Sequence, residues 1–198
     1  LSFPKKKLYY SFLEKVRKIW KQLILCLAKD TKIWTSTGYK EIQDIKEGEI
    51  VYSFDYKANK LVKSKVKKCW KTSDSREIYK VRTRYNKIKL TNNHPILVTD
   101  GKTITYKNIK EIDLKKDIIF ETNNIKNIRT EKIISIEKEK ENEEVWDLEV
   151  DSDLHNFIAN GVVVHNSEDA MLVYRTTRAP ERRVFKIDVG NLDDKDVE

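Results

Sequence analysis

The chain contains no stretch of about 18 consecutive apolar residues, so no segment is expected to span a membrane as a helix. The opening LSFPKKKLYYSFLEKVRKIW lacks the apolar core and small-residue cleavage site of a secretory signal. Cysteine is scarce. Cys26 and Cys69 alone make neither a disulfide framework nor a metal site, and they suit a reducing cytoplasm. No internal repeat is evident. Histidine is limited to His94, His155 and His165, so any acid–base chemistry that relies on imidazole must use these three.

Charge is abundant but mixed. Lys and Arg number 40 against 32 Asp and Glu, leaving +8. The excess is concentrated at residues 1–25, where seven basic residues face Glu14 alone. Residues 26–166 carry +4 and residues 167–198 carry −2. No basic stripe dominates the middle, so a solvated lysine surface is favoured there over a nucleic-acid-binding face.

Residues 8–25 read as a helix, with Leu13, Val16, Trp20 and Leu23 at spacings of three and four. The pattern changes at Cys26. EIVYSFDY, LVKSKVKKCW, IYKVRTR, KIKLT and PILVT are short β-rich runs separated by turn residues, which predicts an all-β domain. TSTG and TDGK mark turns between them. EVWDLEV and NFIANGVVVH close this part. Beyond it, EDAMLVYRTTR is expected to be helical as far as the residue before Pro180, and VFKIDVG to form a strand. Deleting residues 26–166 would join KIWKQLIL to SEDAMLVYR as one continuous helical sequence.

The β-rich segment is bounded by reactive residues. Cys26 opens it and GVVVHNSED closes it, placing His165, Asn166 and Ser167 in succession. An asparagine can attack its own backbone carbonyl, a histidine can promote that attack, and a serine can accept an acyl group. Singly, His94 in TNNHP and His155 in DSDLHNF read equally well as polar-turn and structural residues. Their joint occurrence between Cys26 and Asn166-Ser167 is far more specific.

On these residues the segment resembles an intein, the self-splicing element of the hedgehog/intein (Hint) group. CLAKDTKIWTSTGYKEIQDIKEGEIV is similar to the first intein block, and KLTNNHPILV to the Thr-x-x-His block. In the latter, Asn93 replaces the commoner Asp, and Asn86 stands where Gly is often found. VWDLEVDSDLHNFIANGVVVHNS resembles the two final blocks. The resemblance covers 141 of 198 residues and implies a horseshoe-shaped all-β fold on which both splice junctions converge. It divides the chain into an N-terminal flank (1–25), a splicing domain (26–166) and a C-terminal flank (167–198). The flanks are expected as a helix, and as a helix plus strand, respectively. About 30 residues between Leu114 and Glu144 leave no room for a homing endonuclease, so a mini-intein is expected, with IFETNNIKNIRTEKI as a candidate fused split joint.

The resemblance also implies roles. Cys26 attacks the carbonyl of Leu25, and His94 protonates the departing nitrogen with Thr91 in support. Ser167 takes the acyl group with Asp147 as base or oriented acceptor. Asn166 then cyclises, promoted by His165 and assisted by His155. No metal, nucleotide or organic cofactor is required, and the partners are the chain's own flanks. Cys69, Trp34, Trp70 and Trp146 are expected to fill the core.

SEDAMLVYR and RAPERRVFKIDVGNL resemble the portal protein of large contractile-tailed bacteriophages. That resemblance implies a host subunit from a homo-oligomeric ring near DNA. Splicing is then expected in the infected cell's cytoplasm, and the spliced host in the virion. Two rival readings are a Hint domain limited to junction cleavage and a non-catalytic basic β-domain that binds nucleic acid.

Overall fold

A computed structural model describes residues 25–72, 76–124, 127–166, 171–174 and 183–186. The helix expected at 8–25 lies outside these residues, apart from Leu25. Among them, no helix is long and apolar enough to cross a membrane.

The β-rich expectation holds. β1 (Leu27–Ala28) follows Cys26, and β2 (Lys32–Thr35) pairs with β3 (Gly38–Glu41) through the TSTG turn. β4 (Ile50–Asp55) and the long β5 (Lys60–Lys71) form a hairpin, as do β6 (Ile78–Arg82) and β7 (Lys87–Thr91). β8 (Ile96–Thr99) and β9 (Ile104–Lys107) turn at Asp100-Gly101, where Gly101 has φ +86. β10 (Ile118–Glu121), β11 (Arg129–Lys132) and β12 (Ser135–Lys138) occupy the stretch judged too short for an endonuclease. β13 (Val145–Asp151), β14 (Asn156–Ala159) and β15 (Val162–His165) complete a continuous antiparallel sheet. Its order is β11-β10-β8-β15-β14-β2-β4-β5-β13-β1-β7-β6-β12, with β3 and β9 attached at β2 and β8.

Alternation sets the core. Ile33, Val51, Val66, Leu90, Ile96, Ile119, Leu148, Phe157 and Val164 are all buried in one apolar cluster. A second cluster gathers Trp34, Phe54, Leu97, Phe120, Ile158 and Val163. Trp34 is therefore a core residue as expected. Trp70, Trp146 and Cys69 are only half-buried, and the Cys69 thiol donates to the Ile42 carbonyl at 3.2 Å.

The C-terminal flank departs from expectation. Met171–Tyr174 is a strand (β16), not a helix, and pairs antiparallel with Arg183–Lys186 (β17). The run Met-Leu-Val-Tyr is as well suited to a pleated ribbon as to a helix, and VFK supplies a matching partner strand. That pairing decides the conformation.

The β14–β15 hairpin turns at Asn160-Gly161, both at positive φ (+46 and +79). This suits a type I′ turn, the tight connection whose twist matches the strands. A Cβ on Gly161 would lie 2.4 Å from the Thr122 carbonyl oxygen. In a splicing-inactive chain, Gly161→Ala is expected to cost roughly 2–4 kcal/mol through strain and backbone displacement. A lower urea midpoint at unchanged slope will show it; an unchanged midpoint would contradict the packing described.

Candidate active site

Two strands carry both ends of the segment 26–166 to one place. Cys26 directly precedes β1, and Asn166 directly follows β15. β1 lies beside β7, and β15 lies beside β8. The short connection from β7 to β8 contains His94, so it spans the gap between the two strands.

At the N-terminal junction Cys26 is fully buried. Its backbone N–H donates to Thr91 Oγ1 at 3.2 Å, and its carbonyl accepts the Thr91 N–H at 3.0 Å. The Thr91 hydroxyl in turn donates to the Cys26 carbonyl at 3.4 Å. Sequence reasoning had Thr91 supporting His94. The Thr91 carbonyl accepts the His94 N–H at 3.1 Å, while the Thr91 hydroxyl sits on the Cys26 backbone. Cys26 Sγ lies 4.0 Å from Thr72 Oγ1, whose hydroxyl donates to the Val145 carbonyl at 3.2 Å. Burial, and next the charge of Asp147, push the Cys26 thiol up to about 12, against a downward pull from Arg76 and Thr72. It rests as a thiol at neutral pH.

Asp147, on β13, is buried and accepts the Leu148 N–H at 2.8 Å through Oδ1. Its charge acts on the thiols of both Cys26 and Cys69. β13 flanks β1, which explains the proximity.

At the C-terminal junction the His165 N–H donates to the Pro95 carbonyl, and the Asn166 N–H donates to the His155 carbonyl, both at 3.0 Å. His165 Nδ1 lies 2.7 Å from the Asn166 carbonyl oxygen. A carbonyl only accepts, so Nδ1 must carry the proton in this contact. The bonded carbonyl is the one that cyclisation would attack. His155 holds a left-handed backbone (φ +47), which non-glycine residues seldom adopt. Its exposed ring stacks parallel to His165 at 6.2 Å between centroids.

His94 links the junctions. It is buried, and Nε2 donates to the His165 carbonyl at 3.0 Å. Nδ1 has no hydrogen-bond partner among the described residues, and the Cys26 backbone lies near enough to the ring to favour its protonation. Burial dominates and lowers the ring from 6.5 to about 4. The folded chain therefore binds this proton more weakly than the unfolded chain does. Stability from the neutral ring is present above pH 6.5 and is lost as the pH falls through about 4. In a trapped precursor the loss is expected to be on the order of 3 kcal/mol, and thermal midpoints should decline across that window. His94→Gln should remove this part of the decline; an unaltered pH profile would refute the neutral buried ring.

Ser167 lies outside the described residues. Thr72 and Arg76 were missed in the sequence. Each sits dozens of positions from Cys26, in a stretch with no distinguishing pattern, and only strand pairing brings them near. Tyr106 was missed likewise; its ring meets His165 edge-on at 4.8 Å.

The intein splicing domain model matches residues 33–166. The chain belongs to the intein splicing domain family. Among solved structures, the DnaB intein from Synechocystis sp. PCC 6803 is 28% identical with a TM-score of 0.64, over 73% of this chain and 99% of that one. The DnaX mini intein from Spirulina platensis is 28% identical with a TM-score of 0.59, over 71% and 99%. The TvoVMA intein, 19% identical with a TM-score of 0.64 over 72% and 98%, shares the fold. A curated relative, the portal protein of Vibrio phage KVP40, is 72% identical over 25 residues, 13% of this chain. The match spans only 5% of that portal protein's length. The splicing domain thus has the Hint fold, and the family's activity is self-processing protein splicing.

Proposed function

We propose that residues 26–166 are a competent cis-splicing mini-intein that excises itself once and joins Leu25 to Ser167. The observation that carries this reading is His94, buried between the two junctions, with Nε2 bonded to the His165 carbonyl and its ring close to the Cys26 backbone.

The resting tautomer orders the first step. With the His94 proton on Nε2, Nδ1 is a base. It takes the Cys26 thiol proton as sulfur attacks the Leu25 carbonyl carbon. The imidazolium formed is strongly acidic, because the buried ring holds its proton weakly, and it passes that proton to the departing Cys26 nitrogen. The Leu25–Cys26 amide becomes a thioester, with no net proton gained or lost. Thr91 accepts the N–H of that same nitrogen and bonds the Cys26 carbonyl on the residue's other side, which holds Cys26 in place.

Ser167 then attacks the thioester carbonyl, with Asp147 accepting its proton, and the Cys26 sulfur leaves. The Asn166 side-chain nitrogen attacks its own carbonyl, which His165 polarises, and the Asn166–Ser167 bond breaks. The His155 carbonyl fixes the Asn166 backbone during this step. The freed Ser167 amine finally captures the acyl group from its own ester, forming the Leu25–Ser167 amide.

The flanks 1–25 and 167–198 are proposed as pieces of a phage portal subunit, supported by the 25-residue match. The spliced host then joins a homo-oligomeric ring in the virion, after splicing in the infected cell's cytoplasm. Expressing the chain and weighing its products tests the function. Excised 26–166 with a joined flank supports splicing, unjoined flanks mean junction cleavage alone, and an intact chain sinks both.

A further inference from the structure

His165 must keep Nδ1 on one carbonyl oxygen through a reaction that moves bonds around it. Its backbone is well fixed. β15 pairs with β14 in the register Asn156↔His165, and Asn156 is fully buried. The Asn156 amide accepts the Phe54 N–H at 2.8 Å and donates to the carbonyls of Phe54 and Leu154, both at 3.0 Å. The strand beneath His165 is thereby tied to β4. Backbone order does not fix the rotation of an imidazole, however, and His165 is only half-buried.

Two rings contact that imidazole. His155 is exposed and stacks loosely. Tyr106 meets His165 with planes at 89° and centroids 4.8 Å apart, the edge-to-face geometry favoured between aromatic rings. Tyr106 stands on β9, whose partner β8 also pairs with β15, so its distance from His165 is set by the sheet. Its hydroxyl is buried beside the Asn156 side chain. Tyr106, His155 and His165 together line an open cavity of about 540 Å³. Removing the Tyr106 ring would open space beside the imidazole on the side facing that cavity.

We propose that Tyr106 is a positioning residue for the C-terminal cleavage step, holding the His165 ring edge-on so that Nδ1 remains on the Asn166 carbonyl. The inference rests on the splicing reading, in which that carbonyl is attacked. An acid a fraction of an ångström out of place loses much of its effect, so Tyr106→Ala is expected to slow the step about tenfold or more. Tyr106→Phe keeps the ring and should stay close to the parent.

The assay uses the full chain carrying Cys26→Ala, following release of residues 167–198 from pH 5 to 9 by mass spectrometry. Tyr106→Ala should lower the rate and displace the pH profile, with rescue by Tyr106→Phe. In an Asn166→Ala chain the same substitution should leave thiol-induced cleavage after Leu25 unchanged. Release by Tyr106→Ala within about twofold of the parent at every pH overturns the proposal. So does an equal loss at the Leu25 junction, which would mean general unfolding. If the Cys26→Ala parent releases nothing, the junctions are chemically inseparable, and if the unsubstituted chain yields no products either, the splicing reading has failed. The proposal is then decided by the NMR titration of the His165 ring protons in the Cys26→Ala, Asn166→Ala chain: a shift on Tyr106→Ala supports it, and none overturns it.

Discussion

A Cys26→Ala chain is expected to produce no joined flank at all while still shedding residues 167–198. Ligation needs an acyl group on sulfur, and Cys26 is the thiol covalently adjacent to the Leu25 carbonyl. Cys69 cannot substitute, because its thiol is engaged with the Ile42 carbonyl and lies far along the chain from the junction. The C-terminal chemistry is built from other parts. Asn166 is held by the His155 carbonyl, its own carbonyl by His165, and neither contact uses the Cys26 side chain. Removing one buried sulfur costs roughly 1 kcal/mol of packing, which a folded sheet of this size tolerates. Release should be slower than in the parent, since the branched intermediate never forms. The products are fragments 1–166 and 167–198, separable by mass. Any spliced flank from this variant would show that Cys26 is not the first nucleophile. Complete retention of the C-terminal flank would show that the junctions are chemically inseparable.

How much of this was legible in the sequence depends on whether the information was local. Strand runs such as EIVYSFDY and PILVT declare themselves by composition, and the sheet contains them. The functional ends also announced themselves, because Cys26, His165, Asn166 and Ser167 are adjacent to the bonds they act on. His94 was recognisable through Thr91, three positions before it. What the chain order could not supply was cross-strand proximity. Thr91 turned out to engage the Cys26 amide, because β1 inserts between β13 and β7 and lays Cys26 against the end of β7. Thr72, Arg76 and Tyr106 are ordinary residues in ordinary strands or loops until the pairing is known. Met171–Tyr174 failed for another reason: four apolar residues fit either period, and a partner strand downstream decided between them.

The same locality makes Asn166 the sharpest test of the C-terminal half. Asn166→Ala is expected to abolish release of residues 167–198, a loss greater than any other single change should cause at that junction. No neighbour replaces the nucleophile, since its reach depends on being attached to the carbonyl it attacks. His165 would still polarise that carbonyl, but alanine has nothing to attack it with. The backbone contacts at position 166, the N–H to His155 and the carbonyl to His165, do not involve the side chain and should survive. The N-terminal half therefore remains loaded. Added thiol should intercept the thioester and liberate residues 1–25, so one variant shows one junction silent and the other active. His165→Ala offers the graded comparison, because it retains the nucleophile and removes only acid assistance, at a cost of roughly 10²–10⁴ in rate. Persistent release from the Asn166→Ala chain would mean that hydrolysis, rather than cyclisation, opens this bond.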